Sequence, residues 1–132
     1  MNGMIDIGQA EGGFMMGLGS FLLEKTIYDP TTGKCLNNGT WDYKPPQPKD
    51  VPIDFRIAFL EKNPNPVGFF GSKAVGEPPV HLSNSVLFAI KDAVKAARKD
   101  RGDDEHFRLE APATVEKVQT ACQFDSQLFK IF

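Results

Sequence analysis

Metal-ligating side chains are scarce in this chain. Its two cysteines, Cys35 and Cys122, stand far apart, and its two histidines, His81 and His106, fall into no ligand spacing. A zinc site or an iron–sulfur cluster normally needs about four suitable ligands, so neither can be assembled from this chain alone. Charge of one sign is also lacking: 15 basic and 17 acidic residues leave a formal net charge of -2, with no excess to hold a polyanion, and no nucleic-acid partner is expected. No apolar run approaches the ~20 residues that span a bilayer. Met1-Asn2-Gly3-Met4-Ile5-Asp6 has neither the basic start nor the apolar stretch of a signal peptide. A cytoplasmic protein without a membrane partner is expected. What is present, 132 residues with 41% hydrophobic and 24% charged, suits one domain with one core.

Along the chain, Phe14, Leu18, Phe21 and Leu22 recur at near-helical spacing through Gln9 to Lys25, which puts Gln9 at the start of a helix. Gly12, Gly13, Gly17 and Gly19 would each cost a free helix about 1 kcal/mol. The segment therefore needs tertiary support, and its missing side chains suit close approach of another backbone or of a ligand. Thr26 to Leu36, around the turn-rich Asp29-Pro30-Thr31-Thr32-Gly33, resembles a hairpin. Asn38-Gly39-Thr40 reads as a polar turn, and Pro45-Pro46-Gln47-Pro48 as an irregular connection. Ile53, Phe55, Ile57 and Phe59 alternate with Asp54, Arg56 and Ala58, the period of a strand with one buried face. Residues 63–79, with four prolines and three glycines, predict a long loop of the kind that commonly carries function. Leu82, Val86, Ile90, Ala93, Val94 and Ala97 predict a helix from Leu82 to Lys99, with Ser83 as its N-cap. Phe107-Arg108-Leu109 reads as extended, and Pro112 to Cys122 as a short helix. The order predicts an α+β domain with a few antiparallel strands and about three helices.

The most informative stretch is Ser72-Lys73-Ala74-Val75-Gly76-Glu77-Pro78-Pro79, where a carboxylate lies between a glycine and two prolines just before a strong helix. Proline restricts its predecessor, so Glu77 is expected to be extended and outside the helix. Gly76 leaves room beside it for a ligand or a backbone. On these residues alone, Glu77 is either a site residue or a surface glutamate at a loop end.

The string from Gly71 to Pro79, followed by Ser85-Val86-Leu87-Phe88-Ala89-Ile90-Lys91-Asp92-Ala93, is similar to a motif of the molybdenum hydroxylases, the xanthine dehydrogenase and aldehyde oxidase type. Three further stretches resemble that family in the same order: Asp6-Ile7-Gly8-Gln9-Ala10-Glu11-Gly12-Gly13-Phe14; Trp41 to Pro46 with Ile53-Asp54-Phe55-Arg56; and Phe107 to Thr114, running on to Cys122. The resemblance covers about Ile5 to Cys122, and implies that residues 1–132 are the C-terminal part of a molybdenum-cofactor-binding domain.

It implies an oxidoreductase that hydroxylates aldehydes or N-heterocycles such as purines with water-derived oxygen. Glu77 would be the general base, taking a proton from a hydroxyl on molybdenum. Gln9 corresponds to a glutamine that hydrogen-bonds the pterin, for which an amide that both donates and accepts is suited; otherwise it is a polar residue at a helix start. Gly76 would lie beside the metal. Lys73 and Ser72 are weaker cofactor-binding candidates, Lys73 either orienting the loop or pairing with a carboxylate, or both facing solvent. The implied cofactor is molybdenum–molybdopterin, with FAD and iron–sulfur clusters in other parts of a complete enzyme, and the implied partners are the remainder of that chain and a second copy in a homodimer.

Family members are far longer. Met1-Asn2-Gly3-Met4 departs from what usually precedes the glycine-rich segment, which reads as a truncated gene model, an excised fragment or an alternative start, and Gln123 to Phe132 lacks the family's extended tail. The isolated chain is expected to be inactive, and Phe14, Met15 and Met16 to be exposed and to invite association. The alternative function is a non-catalytic remnant serving as an interaction module. Trp41 to Pro46 leans towards aldehyde oxidases and Phe107-Arg108-Leu109 towards xanthine dehydrogenases, so the substrate stays open.

Overall fold

The first helix, α1, runs over Gly3–Leu18 and starts earlier than the apolar spacing predicts. Asn2 caps it, its side-chain oxygen accepting from the Met4 amide at 3.1 Å, so Gln9 sits in mid-helix and not at the start. The helix winds on into a wider π-helical turn, Gly19–Leu23, closed by the Glu24 amide donating to the Gly19 carbonyl at 2.8 Å. The computed structural model describes residues 2–123 of the chain.

Among the described residues there is no sheet, and the α+β expectation is overturned. The hairpin at Thr26–Leu36 survives only as a single antiparallel bridge between Tyr28 and Cys35. Its turn is held by Asp29, whose carboxylate accepts from the Thr31 and Thr32 amides at 2.8 Å each. Those two backbone bonds hold the Asp29 carboxyl below the usual carboxylate range. Buried Asn37 staples the far end, accepting from the Ile27 amide at 2.8 Å and donating to the Lys25 carbonyl at 2.6 Å. The alternation at Ile53–Phe59 forms no ladder. A period of two specifies a face, but a strand also needs a neighbour for its amides and carbonyls, and none of the described residues pairs with it. Part of that face still packs, with Phe55 against Phe14 at 5.4 Å between ring centroids. Phe14 is thus half-buried, as is Met15; of the expected exposed trio only Met16 is open to solvent.

Residues 63–76 are irregular apart from a short 3-10 turn at Phe69–Gly71. Two consecutive helices follow, α2 over Glu77–Leu82 and α3 over Asn84–Lys99. Ser83 joins them but does not cap α3 with its side chain. Its fully buried hydroxyl donates back to the Val80 carbonyl at 2.6 Å, and Leu82, expected on the buried face, is exposed. The last helix, α4, spans Val115–Ala121, shorter than the Pro112–Cys122 expected.

Arg98 of α3, only 6% exposed, ties these parts together. It donates to the Ala121 carbonyl at 2.9 Å, pairs with Asp103 at 2.6 Å, and sets its guanidinium over the Phe107 ring at 5.0 Å. The Ala113 amide donates to the Phe21 carbonyl at 2.7 Å, joining the C-terminal segment to the π-helical turn. Among the described residues the buried apolar ones are few: Ala10, Leu18, Val94 and Ala113.

Candidate functional site

The middle of α1 meets the beginning of α2 at a stripe of small residues. Ala10, Gly13 and Gly17 are buried and share one helix face by their spacing. A Cβ on Gly13 would collide with the Gly76 carbonyl oxygen, and one on Gly17 with the Ser83 hydroxyl and the Val80 carbonyl oxygen. The bare backbone of α1 therefore sets how closely α2 approaches. Of the two explanations that the glycines left open, a close backbone holds at these positions.

That approach brings two of the predicted site residues together. A Cβ built on Gly76 would lie 3.2 Å from Oε1 of Gln9 and 3.9 Å from the Gln9 carbonyl oxygen. The Gln9 amide is thus seated over Gly76, next in sequence to Glu77. Both Gln9 and Glu77 are exposed, and neither makes a side-chain hydrogen bond or ion pair among the described residues. Glu77 is the first residue of α2, not an extended residue outside it. The prolines that follow are compatible with this because the amides of a first helical turn have no intrahelical acceptor to lose.

Ser72 and Lys73 lie further back along the loop. The Lys73 ammonium donates to the Asn63 carbonyl, and the Ser72 carbonyl accepts from the Asn65 side-chain amide at 2.7 Å. Asn65 and Gly68, which take part in the same closure, carry no helical or strand periodicity and drew no attention in the sequence. Their only signal was a place in a loop dense in proline and glycine. Two open grooves, of about 450 and 370 Å³, lie elsewhere, beside Lys117 and beside Tyr43, and neither includes Gln9, Gly76 or Glu77. In the second, the Tyr43 hydroxyl donates to Glu24 at 2.6 Å, and this bond raises the phenol above its ordinary pKa.

Comparison with known proteins bears on this geometry. Residues 1–52, which contain α1 and Gln9, match the family described as the molybdopterin cofactor-binding domain. Over 124 residues the chain is 47% identical to xanthine dehydrogenase/oxidase of Rattus norvegicus, a match covering 92% of the chain and 9% of that protein. It is 43% identical over 128 residues to xanthine dehydrogenase 1 of Arabidopsis thaliana, covering 92% of the chain and again 9% of the relative. The chain belongs to the molybdenum hydroxylase family.

A solved member, quinoline 2-oxidoreductase from Pseudomonas putida 86, superposes on 92% of the chain with a TM-score of 0.75 at 32% identity, and the match covers 14% of that chain. The cofactor implied by the family is molybdenum–molybdopterin. Its requirements fit what is present: an uncommitted amide on Gln9, which can donate and accept along a pterin edge, lying against the bare backbone of Gly76, with the exposed Glu77 next in sequence. Among the described residues no helix is long and apolar enough to cross a membrane.

Proposed function

We propose that this chain forms one wall of the molybdenum–molybdopterin site of a hydroxylase acting on aldehydes or N-heterocycles, with Glu77 as the general base. The observation that carries the reading is the seating of Gly76 under Gln9, with the exposed and unpartnered Glu77 next in sequence. When bound, the cofactor supplies redox-active molybdenum chemistry, a two-electron oxidation of the substrate with oxygen derived from water. The residues of this chain orient and move a proton. With the cofactor bound, Gln9 would hydrogen-bond its pterin, Gly76 would let Gln9 lie close against the loop that leads to Glu77, and a carboxylate oxygen of Glu77 would accept a proton in the oxidation that the cofactor supplies. Ser72 and Lys73 serve the wall through the loop that leads into it.

The chain spans 9% of the length of the curated relatives it matches, so the other walls, FAD and the iron–sulfur clusters are assigned to parts outside it. The names of those relatives favour a purine-like N-heterocycle as substrate.

The test is Glu77→Ala, with Glu77→Gln beside it, in a full-length molybdenum hydroxylase carrying this segment. Loss of the base should lower kcat by roughly 100- to 10,000-fold with cofactor content unchanged. Turnover close to that of the parent enzyme would overturn the assignment.

A further inference from the structure

The loop ahead of Glu77 is closed on itself. At its mouth the Lys73 ammonium donates to the Asn63 carbonyl, and one step inward the Asn65 side-chain amide donates to the Ser72 carbonyl at 2.7 Å. Across its tip the Gly71 and Ser72 amides donate to the Gly68 and Phe69 carbonyls at 2.9 and 3.0 Å. The closure is tight enough to dictate residue types. A Cβ on Gly68 would collide with the Asn65 amide nitrogen and with the Ser72 carbonyl oxygen, the two ends of the inner bond. The chain reverses at the tip through left-handed Phe70 (φ 50°) and Gly71 (φ 73°), and a bulky residue tolerates that region only where the surroundings hold it.

This closed loop lies just before the site. Ser72 and Lys73 are fixed by the clasp, Gly76 is fixed against Gly13 and Gln9, and only Ala74 and Val75 lie between the two anchors. The path into Glu77 is therefore held from both sides. Were the clasp to open, Ser72 to Val75 would gain backbone freedom next to a residue whose use as a base depends on its position to within a fraction of an ångström.

We propose that Asn65, acting with Gly68, is a positioning residue for Glu77: its amide bond to the Ser72 carbonyl closes loop 63–73 and thereby sets the backbone from which Glu77 projects. The role is separate from cofactor contact, since Asn65 faces its own loop. It rests on the reading of Glu77 as the base, and the experiment separates the two.

Asn65→Ala removes the donor, and Gly68→Ala drives a methyl group into the same bond while leaving the amide in place. Both are made in a full-length molybdenum hydroxylase carrying this segment, alone and combined with Glu77→Ala, with cofactor content checked in each. Each single variant should lower kcat by about 10- to 100-fold, as a displacement of ~1 Å does, with KM held. In the Glu77→Ala background neither should cost anything further, because residues acting as a unit are not additive. Hydrogen exchange at the Gly71 and Ser72 amides should quicken while the α3 amides keep their protection.

An unchanged kcat, an equal loss in both backgrounds, or unchanged exchange at Gly71 and Ser72 would each overturn the proposal. If Glu77→Ala alone keeps its turnover, the base assignment falls and takes the catalytic half of the proposal with it. The exchange rates then decide separately whether Asn65 closes the loop.

Discussion

Gly12 and Gly13 are neighbours in α1 with opposite surroundings. Nothing lies within 4 Å of a Cβ placed on Gly12, whereas one on Gly13 strikes the Gly76 carbonyl oxygen. Alanine is favoured over glycine in a helix by about 1 kcal/mol, so Gly12→Ala should raise the melting temperature. In Gly13→Ala that gain is outweighed by overpacking against a backbone that cannot rotate away, a cost of about 1–3 kcal/mol. Its helical signal in circular dichroism should melt below that of the parent. A Gly13→Ala variant melting with or above Gly12→Ala would mean that α1 and α2 do not meet through this glycine. The sequence showed the glycines and their need for tertiary support; which of them is in contact depends on which face α2 covers, and that is not written in local spacing.

At the scale of elements, α3 and α4 are joined by a buried cation, with Arg101 beside it donating to the Cys122 carbonyl at 2.7 Å. Arg98 bridges them through the Ala121 carbonyl and Asp103 while lying under 10% exposed. Removing one partner of a buried pair leaves the other uncompensated, at a cost of about 3 kcal/mol or more. Arg98→Ala should therefore release α4, seen as faster proteolysis between residues 103 and 121 and a lower urea midpoint. Arg98→Lys keeps the charge but loses the planar fork that reaches both partners, and should fall between. If both variants unfold with the parent, the clamp contributes nothing.

The elements also differ in how far the sequence revealed them. Helix α3 was legible because its apolar period and basic end agree. Helix α2 was not, because two prolines at its start mimic a loop although a first turn tolerates them. The alternation at Ile53–Phe59 has the period of a strand, but periodicity cannot say whether another strand is within reach.

For the whole molecule, surface area is the governing quantity. The chain exposes 10765 Å², while a compact monomer of its 14.6 kDa would expose about 7,000 Å². Large apolar side chains stand in the open, among them Trp41 at 87% exposure and Val67 and Phe70 at 92% each. Apolar surface on this scale marks contact with other protein. On sizing, the isolated chain should elute as a broad, concentration-dependent distribution and bind an apolar dye. A sharp monomer peak at all concentrations, with no dye binding, would contradict this.

The sequence by itself determined the family, the ordered motifs and the neighbourhood of Glu77, because these are properties of residue type and spacing that survive without a fold. It also determined α3, whose apolar stripe repeats within a few turns. Only the tertiary structure decided that the alternating segment remains unpaired, that Gln9 rests on Gly76 through the glycine face of α1, and that Asn65 closes the loop before Glu77. Each of these is a contact between residues distant along the chain, and such contacts depend on which surfaces come together, not on any local period.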